Sequence, residues 1–333
     1  MNVVTQNLSA PVRLSRPPTT FGARLSGFGA AQPDGLLSGA ELGARVGRTA
    51  DWIEARTGIR ELRTLSPDAR IIDLALRAST DALASAGIDP ATIDLVIGAT
   101  CSIRTGSPQL STQVSRVLAP DAATMDINAA CAGFCYSLAT ADSLIRQASA
   151  RRVLVVAAEH MTGLVDPTDL GTSILFGDGA GAAVLDAAPD DGFYLGPVAW
   201  GSDGASAHLI TIPDGEQFMT MAGQQVFRWA TTEMQHVALE ACRLAGVTPA
   251  DIDVFVPHQA NARIVDALTT QIGLEHATVS RDICTSGNTS AASIPIAINR
   301  LINDGHVHSG QIALVLGFGA GLAYAAQVVR LPQ

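Results

Sequence analysis

Three short segments, far apart in the chain, each carry one polar side chain suited to acyl-thioester chemistry. They are A-A-Cys131-A-G-F, P-His258-Q-A-Asn261 and G-Asn288-T-S-A-A-S. A thiol is a nucleophile that can hold an acyl group as a thioester. A neutral imidazole can donate a hydrogen bond to a thioester oxygen or shuttle a proton, and a carboxamide adds a second donor. Taken singly, a Cys or His is more often a packing residue, and Asn is a common helix cap. These three stand out because each falls where a strand-like run meets a helix-like one.

Cys131 follows the strand-like residues 123–127 and opens a helical stretch. At a helix N-terminus the dipole and unpaired N–H groups can lower a thiol from ~8.5 to roughly 3.5–7.5, and that is the expectation here. Its Ala and Gly neighbours leave room for a substrate. Cys101, Cys135, Cys242 and Cys284 read as structural, with Cys135 facing the core one turn on. His258 ends the run D-V-F-V-P and precedes N-A-R-I-V-D-A-L, a setting that the other six histidines lack. The glycine-rich stretches G-Asp178-G-A-G and G-Phe318-G-A-G lack the G-x-G-x-x-G order of a dinucleotide loop. The first reads as close packing between two parts of the fold. The second follows a strand, where a backbone N–H could point into a site as an oxyanion-hole element.

The elements that must hold these residues repeat. A-G-Ile88-D-P-A-T-I-Asp94-L-V-I-G matches A-G-Val247-T-P-A-D-I-Asp253-V-F-V-P, with Asp253 lying 159 positions after Asp94. R-V-Leu154-V-V-A-A matches I-A-Leu314-V-L-G-F, and N-A-A-Cys131-A-G-F falls opposite Asn288-T-S-A-A-S-I, both at an offset of 160. Three matches in order at offsets of 159 or 160 indicate a duplicated chain, with halves at 21–190 and 191–333 behind a flexible leader, 1–20. Apolar runs at 95–99 and 153–157 are too short for helices and read as buried parallel strands. Helical spacing covers 71–86, 109–118, 134–148, 226–245 and 291–302. Alternation of buried strands and helices gives a layered α/β fold, whose ligands bind beyond the carboxyl ends of the strands.

Composition excludes several classes. All 21 basic residues are Arg, so Schiff-base lysine chemistry and a P-loop lysine are both ruled out. A formal charge of −10 argues against general nucleic-acid binding. No apolar run is long enough to span a bilayer, and the opening residues lack a secretory signal's apolar core. Five irregularly spaced cysteines form no C-x-x-C pair, which fits a reduced cytoplasm rather than a zinc or disulfide framework.

From residue 21 onward the chain resembles the β-ketoacyl-acyl-carrier-protein synthase III family of the thiolase superfamily. The resemblance rests on D-W-I-E-A-R-T-G-I at 51–59, A-C-A-G-F at 130–134, D-P-T-D at 166–169, I-L-F-G-D-G-A-G at 174–181, P-H-Q-A-N at 257–261 and G-N-T-S-A-A-S-I-P at 287–295. It implies a five-layer αβαβα fold, a homodimer, and no metal or organic cofactor. It also implies roles. Cys131 takes an acyl group from acyl-CoA, with an oxyanion hole from the N–H groups of Cys131 and Ala320. His258 and Asn288 hold the thioester carbonyl of malonyl-acyl-carrier protein while CO2 leaves, and the enolate attacks the acyl-Cys131 thioester. The product is a 3-oxoacyl-carrier protein, which starts fatty-acid or polyketide synthesis. Trp52, Arg56 and Asn261 would contact CoA or its pantetheine arm, and Arg228 and Arg263 would dock the carrier protein.

The chain departs from the family at the adenine clamp, at carrier docking and at the acyl gate. The arginine that follows D-P-T-D and clamps the CoA adenine against Trp52 is here Leu170, and further docking lysines fall at Thr269 and Thr270. The residue that gates the acyl pocket in acetyl-selective members aligns with Ser107, a small side chain that implies a starter larger than acetyl. A related enzyme could instead pass the acyl group from Cys131 to an alcohol, an amine or a carrier protein without condensation, and retention of Asn288 favours condensation. A non-catalytic partner subunit would be expected to have lost the nucleophile.

Overall fold

The computed structural model describes residues 21–103, 107–189 and 194–332. The expected leader and the boundary between halves lie outside the described residues. Fourteen strands are described. They are β1 (Phe21–Ala31), β2 (Gly35–Ser38), β3 (Glu61–Thr64), β4 (Leu95–Ala99), β5 (Ala123–Ile127), β6 (Arg152–His160) and β7 (Asp178–Pro189). These are followed by β8 (Ala199–Ser202), β9 (Ile210–Thr211), β10 (Thr220–Met221), β11 (Val254–Pro257), β12 (Thr278–Val279), β13 (Ile312–Gly319) and β14 (Ala323–Arg330). The α-helices are α1 (Gly39–Val46), α2 (Ala50–Thr57), α3 (Ile71–Ala86), α4 (Leu110–Leu118) and α5 (Gly133–Arg146). Next come α6 (Gly223–Ala245), α7 (Ala262–Ile272), α8 (Ile283–Ser286) and α9 (Ser293–Asn303).

Two five-stranded sheets carry the fold, in the orders β1-β7-β6-β4-β5 and β12-β11-β13-β14-β8. Read in opposite directions these are the same topology. β4 runs parallel to β6, with Leu95 opposite Val153, as β11 runs parallel to β13, with Val254 opposite Ala313. The Asp that the repeat placed before each central strand has one job in both copies. Asp94 accepts from the backbone N–H groups of Arg151 and Arg152, and Asp253 accepts from that of Ile312. Each carboxylate thereby fixes the register of two neighbouring parallel strands.

Helices α5 and α9 lie between the sheets in one apolar core that joins both halves, through Phe134, Leu138, Ile294 and Ile298. Helices α3 and α4 cover the outer face of the first sheet, and α6 and α7 that of the second. The result is the five-layer αβαβα arrangement. The predicted helices occur within a few residues of their expected ends. The differences of consequence precede α5 and α9: short 3-10 turns, Ala130–Ala132 and Ser290–Ala292, lead into these helices, and the second follows the short helix α8 rather than the strand expected before Asn288. Glycines 179 and 181 let β7 approach α9, since a Cβ would meet Ile296 Cδ1 at 2.9 Å and Pro295 Cγ at 2.8 Å. The expected packing role of this glycine stretch holds.

Candidate active site

Cys131 sits in the first 3-10 turn, with Ala130 before it at φ 46°. The Asn128 side chain accepts from Ala130 N at 3.2 Å and closes the turn. The final glycine loop presses on the nucleophile. A Cβ at Gly319 would stand 2.7 Å from Cys131 Cβ and 2.9 Å from its backbone nitrogen. Gly317 likewise lies against Ala132 and the Cys135 sulfur, so Cys135 is the core residue that was expected. Gly321 at φ 118° turns the chain beyond Ala320, and Ala320 lines the same cavity as Cys131.

The thiol is not depressed as its place near a helix start suggested. Burial pushes Cys131 up to about 12, against the downward pull of the Ser290 hydroxyl and its own backbone N–H. Desolvation penalises the thiolate more than these donors favour it. Cys131 therefore rests as a thiol.

His258 follows β11 and is buried. Its Nδ1 lies 2.8 Å from Ser293 Oγ, the first residue of α9. That hydroxyl also accepts from Gln259 N at 3.4 Å, and a Ser293 proton directed at Nδ1 would leave Nε2–H as the donor on the other ring edge. The Phe318 ring meets the imidazole edge-on at 5.3 Å. Burial lowers His258 to about 3, so the ring is neutral at ordinary pH. Gln259 is itself locked, donating to Pro257 O and Ser280 Oγ and accepting from Ile283 N.

Asn288 is pinned by the first half of the chain. Its N–H donates to Leu175 O and its carbonyl accepts from Gly177 N, across a bridge to Phe176. Its side-chain oxygen accepts from Ser290 N at 2.9 Å, which leaves the amide nitrogen as a free donor. The I-L-F-G-D-G-A-G segment thus positions a site residue as well as packing. Its Asp178, fully buried, ties two further loops by accepting from Leu65 N, Thr162 N and Thr162 Oγ1.

Cys131, His258, Asn288 and Ala320 line one cavity of about 670 Å³. Its inner end is apolar, walled by Met161, Leu164, Phe176 and Met219 with Cys101 and Ile212 beside them. Its mouth carries Trp52, Arg56, Arg228, Asn261 and Arg263. The Arg56 guanidinium stands 5.0 Å from the Trp52 ring centroid, and that of Arg48 stands 5.2 Å away. Arg263 lies over Phe227. Asn261 caps α7 through Arg263 N and donates to Arg56 O at 3.3 Å, joining the two halves of the mouth. Leu170 packs with Trp52 on a small apolar cluster.

Two positions fall elsewhere. Ser107 is exposed and is not among the residues lining this chain's cavity, and residues 104–106 of its loop lie outside the described residues. Thr269 is buried, with its hydroxyl on Val265 O, and faces the core rather than a partner. Sequence reasoning missed Met161, Leu164 and Met219, and it read Cys101 as purely structural. Among the described residues no group of three His, Cys, Asp or Glu side chains is placed to hold a metal ion.

Comparison with known proteins agrees with this geometry. Residues 125–204 match the model for 3-oxoacyl-[acyl-carrier-protein] synthase III, and residues 242–331 match its C-terminal model. A β-ketoacyl-[acyl-carrier-protein] synthase III of Streptomyces avermitilis is 44% identical over 313 residues, 93% of this chain and 99% of the relative. One from Streptomyces coelicolor is 45% identical over the same length and shares. Among solved structures, the priming β-ketosynthase of the R1128 polyketide pathway superposes with a TM-score of 0.92 at 42% identity, covering 96% of this chain and 99% of that one. The synthase III of Pseudomonas aeruginosa PAO1 gives 0.89 at 35% identity, over 94% and 99% of the two chains. With a thiol, a neutral imidazole and a carboxamide gathered in one cavity of a duplicated five-layer fold, the chain belongs to the 3-oxoacyl-[acyl-carrier-protein] synthase III family.

Proposed function

We propose that this protein condenses an acyl starter with malonyl-acyl-carrier protein, with loss of CO2, to give a 3-oxoacyl-carrier protein. The observation that carries this reading is the shared cavity, which Cys131, His258 and Asn288 line together, with the Asn288 side-chain oxygen already taken by Ser290 N. Cys131 accepts the acyl group from acyl-CoA. The N–H groups of Cys131 and Ala320 hold the oxyanion as the tetrahedral intermediate forms. His258 and Asn288 then donate to the malonyl thioester oxygen, where charge gathers as the carboxylate departs. Two neutral donors suit an enolate oxygen, and the depressed His258 keeps its ring in the donating, uncharged form. The carbon of the enolate attacks the acyl thioester, the C–S bond breaks, and Cys131 leaves as the thiolate and takes up one proton from solvent.

The inner chamber accommodates a starter larger than acetyl, since thioether and aliphatic walls adapt to branched or medium chains. At the mouth, Trp52, Arg56 and Asn261 meet the CoA or pantetheine arm, with Arg48 supplying a guanidinium over Trp52 where Leu170 supplies none. Arg228 and Arg263 face the acidic carrier protein, in a chain that is otherwise acidic. A homodimer forms along β5, an edge strand with Met125 exposed and Val117 of α4 beside it. Pairing of two copies would close that edge. Ser107 leads into α4, so as a gate it would act on the partner's cavity. No helix among the described residues is long and apolar enough to cross a membrane, and the cytoplasm is the compartment proposed.

Intact-protein mass spectrometry of wild type and Cys131→Ala after incubation with a panel of acyl-CoAs tests this reading. An acyl adduct on wild type alone, strongest for a group larger than acetyl, is expected. A strong preference for acetyl would remove the starter assignment, and no adduct with any acyl-CoA would remove CoA as the donor.

A further inference from the structure

The two donors assigned to the malonyl thioester come from different elements. His258 follows β11, and Asn288 lies in the chain between α8 and α9. Two links fix how far apart they stand. One runs from His258 Nδ1 to Ser293 Oγ, at the start of α9. The other runs through α8. Ile283 N, at its start, donates at 3.1 Å to the side-chain oxygen of Gln259, the residue after His258. At its end Gly287, at φ 74°, turns the chain directly into Asn288, and a Cβ there would run into Leu62 Cδ2.

Helix α8 is a single turn, Ile283–Ser286, too short to hold its own place. Arg300, in the last turn of α9, grips it. One guanidinium nitrogen donates to Thr285 Oγ1 at 2.6 Å and stands 2.6 Å from Oδ1 of the buried Asp282, the residue before α8. The other donates to Ser286 Oγ at 3.3 Å and to Gln32 Oε1 at 2.8 Å. Gln32, the residue after β1, donates in turn to the same Ser286 Oγ at 2.6 Å. Leu175 and Gly177 fix the Asn288 backbone on one side, and Arg300 fixes the turn that leads into it on the other. A ring of contacts therefore closes from His258 through Ser293, α9, Arg300 and α8 to Asn288. Cys131 is outside this ring, in a turn braced by Asn128 and Gly319.

We propose that Arg300 is a positioning residue for decarboxylation. By clamping α8 against α9 it sets the spacing of His258 and Asn288, and with it the fit of both donors to one thioester oxygen. Loading of Cys131 does not depend on it. This rests on the function proposed above, in which those two residues act on the malonyl group. Arginine suits the task because its planar fork serves several partners at once, whereas a lysine offers a point charge.

The test compares wild type with Arg300→Lys and with the double variant Asp282→Asn/Arg300→Met. The lysine keeps a charge beside Asp282 and loses the fork. The double variant removes the buried pair together, so that no carboxylate is left without a partner if the lysine variant fails to fold. Cys131 is followed, on its own peptide, by its rates of alkylation with iodoacetamide and of loading from isobutyryl-CoA. Decarboxylation is followed as CO2 released from malonyl-acyl-carrier protein. Both variants should lower kcat for CO2 release about tenfold, with KM and both Cys131 rates within about twofold of wild type. Release of CO2 at the wild-type rate would overturn the role. An equal fall in both half-reactions would overturn it too, since that is what a general loss of structure produces. Wild type that releases no CO2 would remove the proposed function, and this role with it.

Discussion

The turn at 128–133 and the turn at 288–293 are two copies of one device put to different uses. Each begins with an Asn whose side-chain oxygen caps the residue two positions on. Each then takes a left-handed residue, Ala130 or Ser290, and a 3-10 turn leading into a central helix. In the first copy the Asn is exposed and the reactive group is Cys131, three residues later. In the second the Asn is buried against Leu175–Gly177 and is itself the site residue, while the position matching Cys131 is Ala291 in the core. The same backbone thus presents a nucleophile from one half and a donor from the other. What differs is the surface each turn packs against.

Asn288→Ala breaks the comparison most severely. Removing a donor aimed at developing charge should lower condensation about 10²- to 10³-fold, while acylation of Cys131 stays within about tenfold. Mass spectrometry of the acyl-enzyme and release of CO2 from malonyl-carrier protein separate the two half-reactions. Gly319→Ala should cost about 100-fold in turnover, because the new methyl group displaces the Cys131 backbone against which it sits. Steady-state kinetics on this variant, set beside Gly179→Ala, where the obstacle is the flexible end of Ile296, would show whether the approach to the nucleophile is the tighter constraint.

The buried His258 predicts a pH effect on stability. Its folded value lies near 3, below the unfolded value near 6.5, so the unfolded chain binds the extra proton between them. Its contribution is present above pH 6.5 and is lost as pH falls, by roughly 1.4 kcal/mol per unit. Denaturant unfolding of wild type and His258→Gln between pH 4.5 and 7.5 should show a shallower slope in the variant. The smallest effect is expected for Asn128→Ala, the exposed counterpart of Asn288. It should cost about 1 kcal/mol as a lost cap and leave condensation within a few-fold, read by thermal unfolding and turnover.

Much of this architecture is legible in the sequence because the constraints are local or repeated. Asp94 and Asp253 announce their strands, and Cys131, His258 and Asn288 sit on short signatures. The pocket walls are less legible, since Cys101, Met161, Phe176 and Met219 come from separate loops that meet only in the fold. The upward shift of the Cys131 thiol is illegible for a related reason. Nearness to a helix start is visible in the sequence, whereas the burial that outweighs it depends on the loop at Gly319, more than 150 residues away.

The central claim is condensation at Cys131 assisted by His258 and Asn288. Its most direct test loads the wild-type enzyme with an acyl group, adds malonyl-acyl-carrier protein and weighs the carrier product while trapping CO2. A 3-oxoacyl-carrier protein, two carbons longer than the loaded group and formed with one CO2, is the predicted result. An unchanged acyl group on the carrier, with no CO2 released, would contradict it and identify a simple acyl transfer.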